Sequence, residues 1–162
     1  MLEAIHVKLE IELVPSTAWN KSLYNILPGD EWSRIKAEIY HKEGRKCYVC
    51  GEVSERLQAH EFWEYDERTK TQKLVGIHHL CDLCHKIKHL GFWLHTEDGR
   101  FRLKQQGLTR NSLIEHFCKV NGCKTEDFLS AEKQAFRIWE FRSKCGWKQD
   151  FGQYSETVHP YL

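Results

Sequence analysis

The sequence predicts an α+β fold: a β-hairpin and a short helix form a central unit, with a strand and helices before it and a mainly helical extension after it. Two observations carry this prediction. Residues 57–65 and 71–77 alternate in character about a polar turn, and apolar residues recur at helical spacing on both sides of that pair. The 162 residues suit one domain, or a compact core with extensions. With 41% apolar and 12% aromatic residues, the chain is too rich in core-forming side chains to be disordered. Twenty-four Lys+Arg against 23 Asp+Glu give a formal charge of +1, which excludes a uniformly basic coat and leaves room for a local basic face. Met1–Glu10 lacks the apolar core of a secretory signal, and no apolar run nears the roughly 20 residues of a membrane span. The expectation is a soluble protein of the reducing cytoplasm.

In chain order, Ile5, Val7, Leu9, Ile11 and Leu13 alternate with polar residues, predicting a half-buried strand stopped by Pro15. Trp19, Leu23 and Ile26 suggest a short helix before Pro28-Gly29. Asp30 fits as N-cap of a helix over about 31–43, with Trp32, Ile35 and Ile39 on one face and Gly44 closing it in the left-handed conformation. The run from Leu57 to Tyr65, the turn Asp66–Lys70 and the run Thr71–Ile77 read as a hairpin. Cys81 to Leu90 reads as a short helix ended by Gly91. Phe92–Leu94 and Phe101–Leu103 flank Asp98-Gly99, which suggests a second small hairpin. Thr109 caps a predicted helix carrying Leu113, Ile114, Phe117 and Val120 and closed by Asn121-Gly122; Thr125 caps a longer one over about 126–144. The stripe Phe136, Trp139 and Phe141 reads as core, and Trp147, Phe151 and Tyr154 as pins for the tail. The chain divides as 1–44, 45–91 and 92–162.

Four of the seven cysteines form two CxxC pairs, Cys47/Cys50 and Cys81/Cys84, separated by 30 residues. In a chain without a secretion signal, two such pairs favour a shared tetrahedral zinc over disulfides, redox cysteines or merely buried thiols. Cys118, Cys123 and Cys145, even with His116, have no common zinc-knuckle spacing and read as small buried residues. His85 and His89 stand four apart, so a helix projects both from one face, and His60-Glu61 lies in the strand that should run beside it. Three imidazoles and a carboxylate in that arrangement bind a divalent cation with a position left open, as hydrolysis requires; the alternative is a set of core or solvated histidines near a structural zinc.

These residues carry a resemblance. Cys47-x-x-Cys50, Leu57-Gln58-Ala59-His60-Glu61 and Leu80-Cys81-x-x-Cys84-His85-x-x-x-His89 resemble the HNH (ββα-metal) nuclease family in its zinc-containing form, over residues 45–91. Outside that stretch the likeness is a general one to bacterial and phage HNH-like proteins. The resemblance implies a zinc-stapled ββα-metal core, a second divalent cation (Mg²⁺, Mn²⁺, Ni²⁺ or Zn²⁺) and metal-assisted hydrolysis of nucleic-acid phosphodiesters. His60 takes the first metal-ligand place, His85 the helix ligand, and His89 is an added ligand. Two departures stand out: the general-base place holds Glu61 rather than histidine, and the place of the orienting asparagine holds Gly76. His78 and His79 lie near but not at those places.

From Cys84 to Arg110 the basic residues are Lys86, Lys88, Arg100, Arg102, Lys104 and Arg110, against Glu97 and Asp98. Beside the proposed site, Lys86, Lys88 and Arg100 are the expected phosphate contacts. No HExxH, no zinc-deaminase pattern and no phosphate-binding glycine loop occurs. The expected activity is that of an HNH-like endonuclease, a hydrolase cutting DNA, with RNA as a second possible substrate and Glu61 activating water or completing the metal shell. The alternative is a catalytically inactive, nuclease-derived zinc module that binds nucleic acid or a protein partner.

Overall fold

The computed structural model describes residues 8–162. Its centre is a three-stranded sheet in the order β1-β2-β3, formed by β1 (Gln58–Asp66), β2 (Thr71–Leu80) and β3 (Lys148–Asp150). The first two strands make the antiparallel hairpin that the alternation predicts, with His60 opposite His78 and Phe62 opposite Gly76. A bulge after Phe62 shifts the register, and Trp63 then faces Leu74. The Asp66 carboxylate accepts the Arg68 and Thr69 amides at 2.9 and 3.1 Å and so shapes the turn. β3 pairs parallel with β2, which leaves one long edge of β1 unpaired.

Helices cover both faces of the sheet. On one side lie α1 (Leu23–Ile26), α2 (Gly29–Glu43) and the C-terminal turn α8 (Ser155–Val158). Trp32, Ile35 and Ile39 of α2 meet Trp63, Leu74, Ile77 and Phe151 in an apolar core. Helix α2 begins two residues earlier than its sequence suggests, with Asp30 and Glu31 in its first turn, where the helix dipole favours acidic groups. Gly44 ends it at φ 72° but ψ −173°, a positive-φ stop with extended ψ rather than the left-handed helical one. On the other side are α3 (Asp82–Lys88), α4 (Leu90–His95), α5 (Glu97–Gln105), α6 (Arg110–Asn121) and α7 (Thr125–Arg142). Their core holds Leu80, Ile87, Leu90, Leu113, Phe117 and Phe128, joined by Leu9 from the N-terminal segment. Thr109 caps α6 and Gly122 closes it at φ 62°, ψ 41°, as the sequence predicts. Among the described residues no helix is long and apolar enough to cross a membrane.

Four expectations are corrected. Residues 8–13 form no strand, and 5–7 lie outside the described residues. Instead the Asn121 side chain takes the Leu9 amide and carbonyl at 2.9 and 3.0 Å, so the backbone of Leu9 is satisfied by one side-chain amide rather than by a neighbouring strand. Gly91 does not end a helix: the chain breaks at His89 and continues as α4. Asp98-Gly99 is not a turn. Gly99 lies in the first turn of α5 because a Cβ there would sit 1.9 Å from the Phe92 carbonyl oxygen, and only glycine lets α4 and α5 approach so closely. Finally, the aromatic stripe of α7 is not core. Phe141 is exposed, while Phe136 and Trp139 are half-buried and line a cavity.

Candidate metal centres and the cavity beside them

The four CxxC cysteines converge. A short bridge between Lys46 and Val53 and a turn through Gly51 at φ 77° fold the first pair into a knuckle. The Tyr48 amide donates to the His79 carbonyl at 2.9 Å and ties that knuckle to β2. Cys81 caps α3, and the Cys84 amide donates to its sulfur at 3.4 Å; Cys50 N–H does the same to Cys47 Sγ at 3.5 Å. Cys50 Sγ and Cys81 Sγ stand 3.7 Å apart. Two sulfurs sharing a tetrahedral zinc at about 2.3 Å lie about 3.8 Å from each other, so the spacing suits that ion. Hydrogen bonds from Cys81 and Cys84 push the Cys47 thiol far down, and the same sharing pushes Cys84 up and Cys81 up to about 12. One thiolate serves three neighbours, whereas a divalent cation allows all four to ionise. The set is a possible metal site, consistent with structural zinc.

His116 of α6 joins this cluster, its Nε2 lying 3.2 Å from Cys84 Sγ. Cys118, Cys123 and Cys145 are half-buried and contribute to no metal-binding group among the described residues.

The second cluster lies where β1 meets α3. His60 projects from β1 toward α3, His85 from the helix, and His89 from the residue that ends it; each offers a nitrogen within 4.8 Å of the others. Ring centroids are 5.5 Å (His60–His85), 4.9 Å (His60–His89) and 4.6 Å (His85–His89) apart. His60 Nε2 is buried without a hydrogen-bond partner, an orphaned lone-pair site aimed into the cluster. Desolvation lowers the pKa of all three, to about 3 for His85 and about 4 for His89, although His89 is the exposed member of the group. They are therefore neutral at pH 7, the form that ligates metals. The donor set fits a divalent ion.

One neighbour of this cluster escapes sequence reading. Glu12 comes from the N-terminal segment to within 3.9 Å of His60 Nε2 and 3.6 Å of Lys88 Nζ. Burial opposes its charge, but His60 and Lys88 outweigh it and hold the carboxyl below its usual range. No local pattern marks Glu12, which is one polar position among several in an alternating stretch.

Glu61 alternates away from His60 along β1. Its Oε1 accepts the Leu23 amide at 2.8 Å and its Oε2 the Tyr24 amide at 3.4 Å, at the start of α1. Burial raises its pKa despite those donors. At Gly76 a Cβ would lie 2.8 Å from His78 Nε2, so a side chain there would displace the His78 ring. His78 stacks on Tyr48 and pairs with Glu43, while His79, buried against Tyr40, leaves both ring nitrogens without partners.

The expected phosphate contacts need correcting. Lys86 and Lys88 are 2% and 3% exposed. Lys86 is bound to Asp82 over the Trp93 ring, and Lys88 to Glu12 over Phe62; two residues apart, they leave α3 on different sides and each is covered by its own neighbours. Both ammoniums are therefore paired inside the protein, and Lys88 lines the cavity beside the histidines. Arg100 is exposed and donates to the Leu94 carbonyl at 3.2 Å.

A cavity of about 1020 Å³ opens along the unpaired edge of β1. Its wall includes the three histidines, Glu12, Glu61 and several aromatic rings. The fold and these clusters define an α+β protein with a four-cysteine group suited to zinc beside a three-histidine group. In comparison with known proteins, no family model, no curated protein and no solved structure matches the chain.

Proposed function

We propose that the protein is an HNH-like, metal-dependent endonuclease that hydrolyses phosphodiester bonds of DNA. One observation carries the reading: His85 of α3, His89 at its C-cap and His60 of the hairpin strand bring their nitrogens together next to the four-cysteine group, the arrangement expected from the resemblance. A divalent ion on His60, His85 and His89 would supply Lewis acidity at a phosphate oxygen. The protein holds these imidazoles neutral through desolvation and fixes them on a strand, a helix and its C-cap, so their geometry is set before substrate arrives. Glu61 lines the same cavity as the histidines and its pKa is raised by burial, which makes it the candidate to accept the proton of an attacking water.

The test is nicking of supercoiled plasmid with Mg²⁺, Mn²⁺, Ni²⁺ or Zn²⁺, wild type beside His85→Ala. Wild-type cleavage that falls at least a hundredfold in His85→Ala supports the reading. Cleavage insensitive to that substitution, or none with any metal, counts against it. A second reading, a zinc module that binds without cutting, draws on the engagement of Glu61 by α1 and on Gly76 at the asparagine place. Metal bound by the histidines without any cleavage would favour it.

A further inference from the structure

Resting on the nuclease reading, we propose that the cavity takes single-stranded rather than duplex DNA, its unpaired bases stacking on aromatic rings at the mouth while a phosphodiester reaches the three histidines.

Charge is the first argument. Duplex binding depends mainly on outward cations that replace counterions on the phosphates. Of the six basic residues between Cys84 and Arg110, Lys86 and Lys88 are buried in pairs with Asp82 and Glu12, and Arg102 and Arg110 are paired at the surface with Asp98 and Glu132. Arg100, Arg102, Lys104 and Arg110 do not line the cavity, so this stretch brings only Lys88, already paired with Glu12, to the histidines.

The aromatic lining is the second. Trp19, Tyr24 and Phe92 line the cavity and remain 57%, 66% and 38% exposed, and Phe136 and Trp139 continue the same wall. Exposed rings around a hydrolytic site suit the π-faces of bases, and stacking contributes about 1–3 kcal/mol per base without sequence preference. A duplex keeps those faces covered. Two of these rings are fixed in advance: the Trp19 and Trp139 indole N–H groups both donate to the Val14 carbonyl, at 2.9 and 3.0 Å. Little side-chain freedom is then left to lose on binding.

The remaining cations complete the picture. Lys21 lies between Trp19 and Tyr24 in sequence, and Lys36 lies on α2; both line the cavity, and neither makes an ion pair among the described residues. Alternating ring, cation and ring is the surface that a single strand needs, with bases on the rings and phosphates on the ammoniums. Glu12 and Glu61 bring negative charge into the cavity, but Lys88 and the α1 amides already engage them.

The experiment is fluorescence anisotropy of the zinc-loaded full chain, without added divalent ion, against a labelled oligonucleotide of about 12 nucleotides as single-stranded DNA, as duplex and as RNA. The expected result is single-stranded DNA bound at least tenfold tighter than duplex. Trp19→Ala and Tyr24→Ala should each weaken it about fivefold or more, while Trp19→Phe keeps it within about twofold, as the stacking energies require. Both residues are largely exposed, and thermal melting of each variant shows whether the fold is intact. Equal binding of duplex, or no effect of either alanine in a folded variant, overturns this inference and leaves the nuclease reading to the plasmid assay. Tighter binding of the RNA overturns the DNA assignment. No binding to any probe overturns the inference, and if plasmid nicking is also absent the nuclease reading falls with it.

Discussion

Glu12 Oε2 lies 3.9 Å from His60 Nε2 and, on its other side, 3.6 Å from the ammonium of Lys88, a lysine only 3% exposed. A buried cation needs a partner, because desolvation is costly and the low-dielectric interior offers little else. Glu12 therefore fastens the N-terminal segment over the histidine cluster.

Removing that carboxylate leaves Lys88 unpaired. Glu12→Ala is expected to lower unfolding stability by about 3 kcal/mol, and Glu12→Ala with Lys88→Met to recover most of the loss. Urea denaturation of the four proteins of the double-mutant cycle checks this. Equal destabilisation in single and double variants would mean that the pair does not couple.

The four-cysteine group should bind one zinc per chain. Cys84→Ser is expected to lose that metal and its cooperative melting transition, since zinc binding of this type contributes on the order of 10 kcal/mol to folding. His116, 3.2 Å from Cys84 Sγ, should act more mildly. His116→Ala is expected to weaken zinc about ten- to a hundredfold with the fold retained. Elemental analysis and chelator competition read both effects.

Metal binding at the histidines should show an unusual pH dependence. An ordinary imidazole titrates near 6.5, so protons begin to compete with the metal below about pH 7. Here desolvation holds His85 at about 3 and His89 at about 4, with His60 also lowered. Ni²⁺ affinity is therefore expected to change little between pH 7.5 and 6.0 and to fall only as pH approaches 4. The linked stability has the same sign. Unfolding exposes histidines that bind protons below 6.5, so the metal-free folded state loses stability as pH falls from 6.5 toward 4. Calorimetric titration at several pH values measures the first effect and urea melts the second; a tenfold loss of affinity by pH 6.0 would contradict it.

Gly99 offers a test independent of function. Its Cβ position coincides with the Phe92 carbonyl, so Gly99→Ala must push α4 and α5 apart. About 2–3 kcal/mol of destabilisation is expected, from overpacking against backbone that cannot yield. Gly107→Ala is an instructive contrast, because no atom crowds its Cβ, although its φ of 72° still strains a side chain.

Much of the fold was legible where the determinants were local. The hairpin follows from alternation over 57–65 and an Asx turn at Asp66, α6 from Thr109 and Gly122, and the cysteine knuckles from their own spacing. Histidine spacing on α3 also foretold that His85 and His89 share a face. The failures came where one local signal had two uses. Asp98-Gly99 has the composition of a turn, but its glycine serves helix contact. Lys86 and Lys88 look like surface charge, but they leave α3 on different sides and each is covered, by Trp93 and by Phe62.

By itself, then, the sequence determined the α+β class, the hairpin, α6 with both its caps and the two groups of thiols and imidazoles, because period, capping and ligand spacing act over a few residues; the N-caps expected at Asp30 and Thr125 are instead Pro28 and Lys124. Only the tertiary structure decided that Glu12 meets His60 from 48 positions away, that Asn121 rather than a neighbouring strand holds Leu9, and that Lys86 and Lys88 of the basic stretch are paired inside the protein. Those contacts depend on how whole elements dock, and docking is set by the summed burial of both cores rather than by any short run of residues.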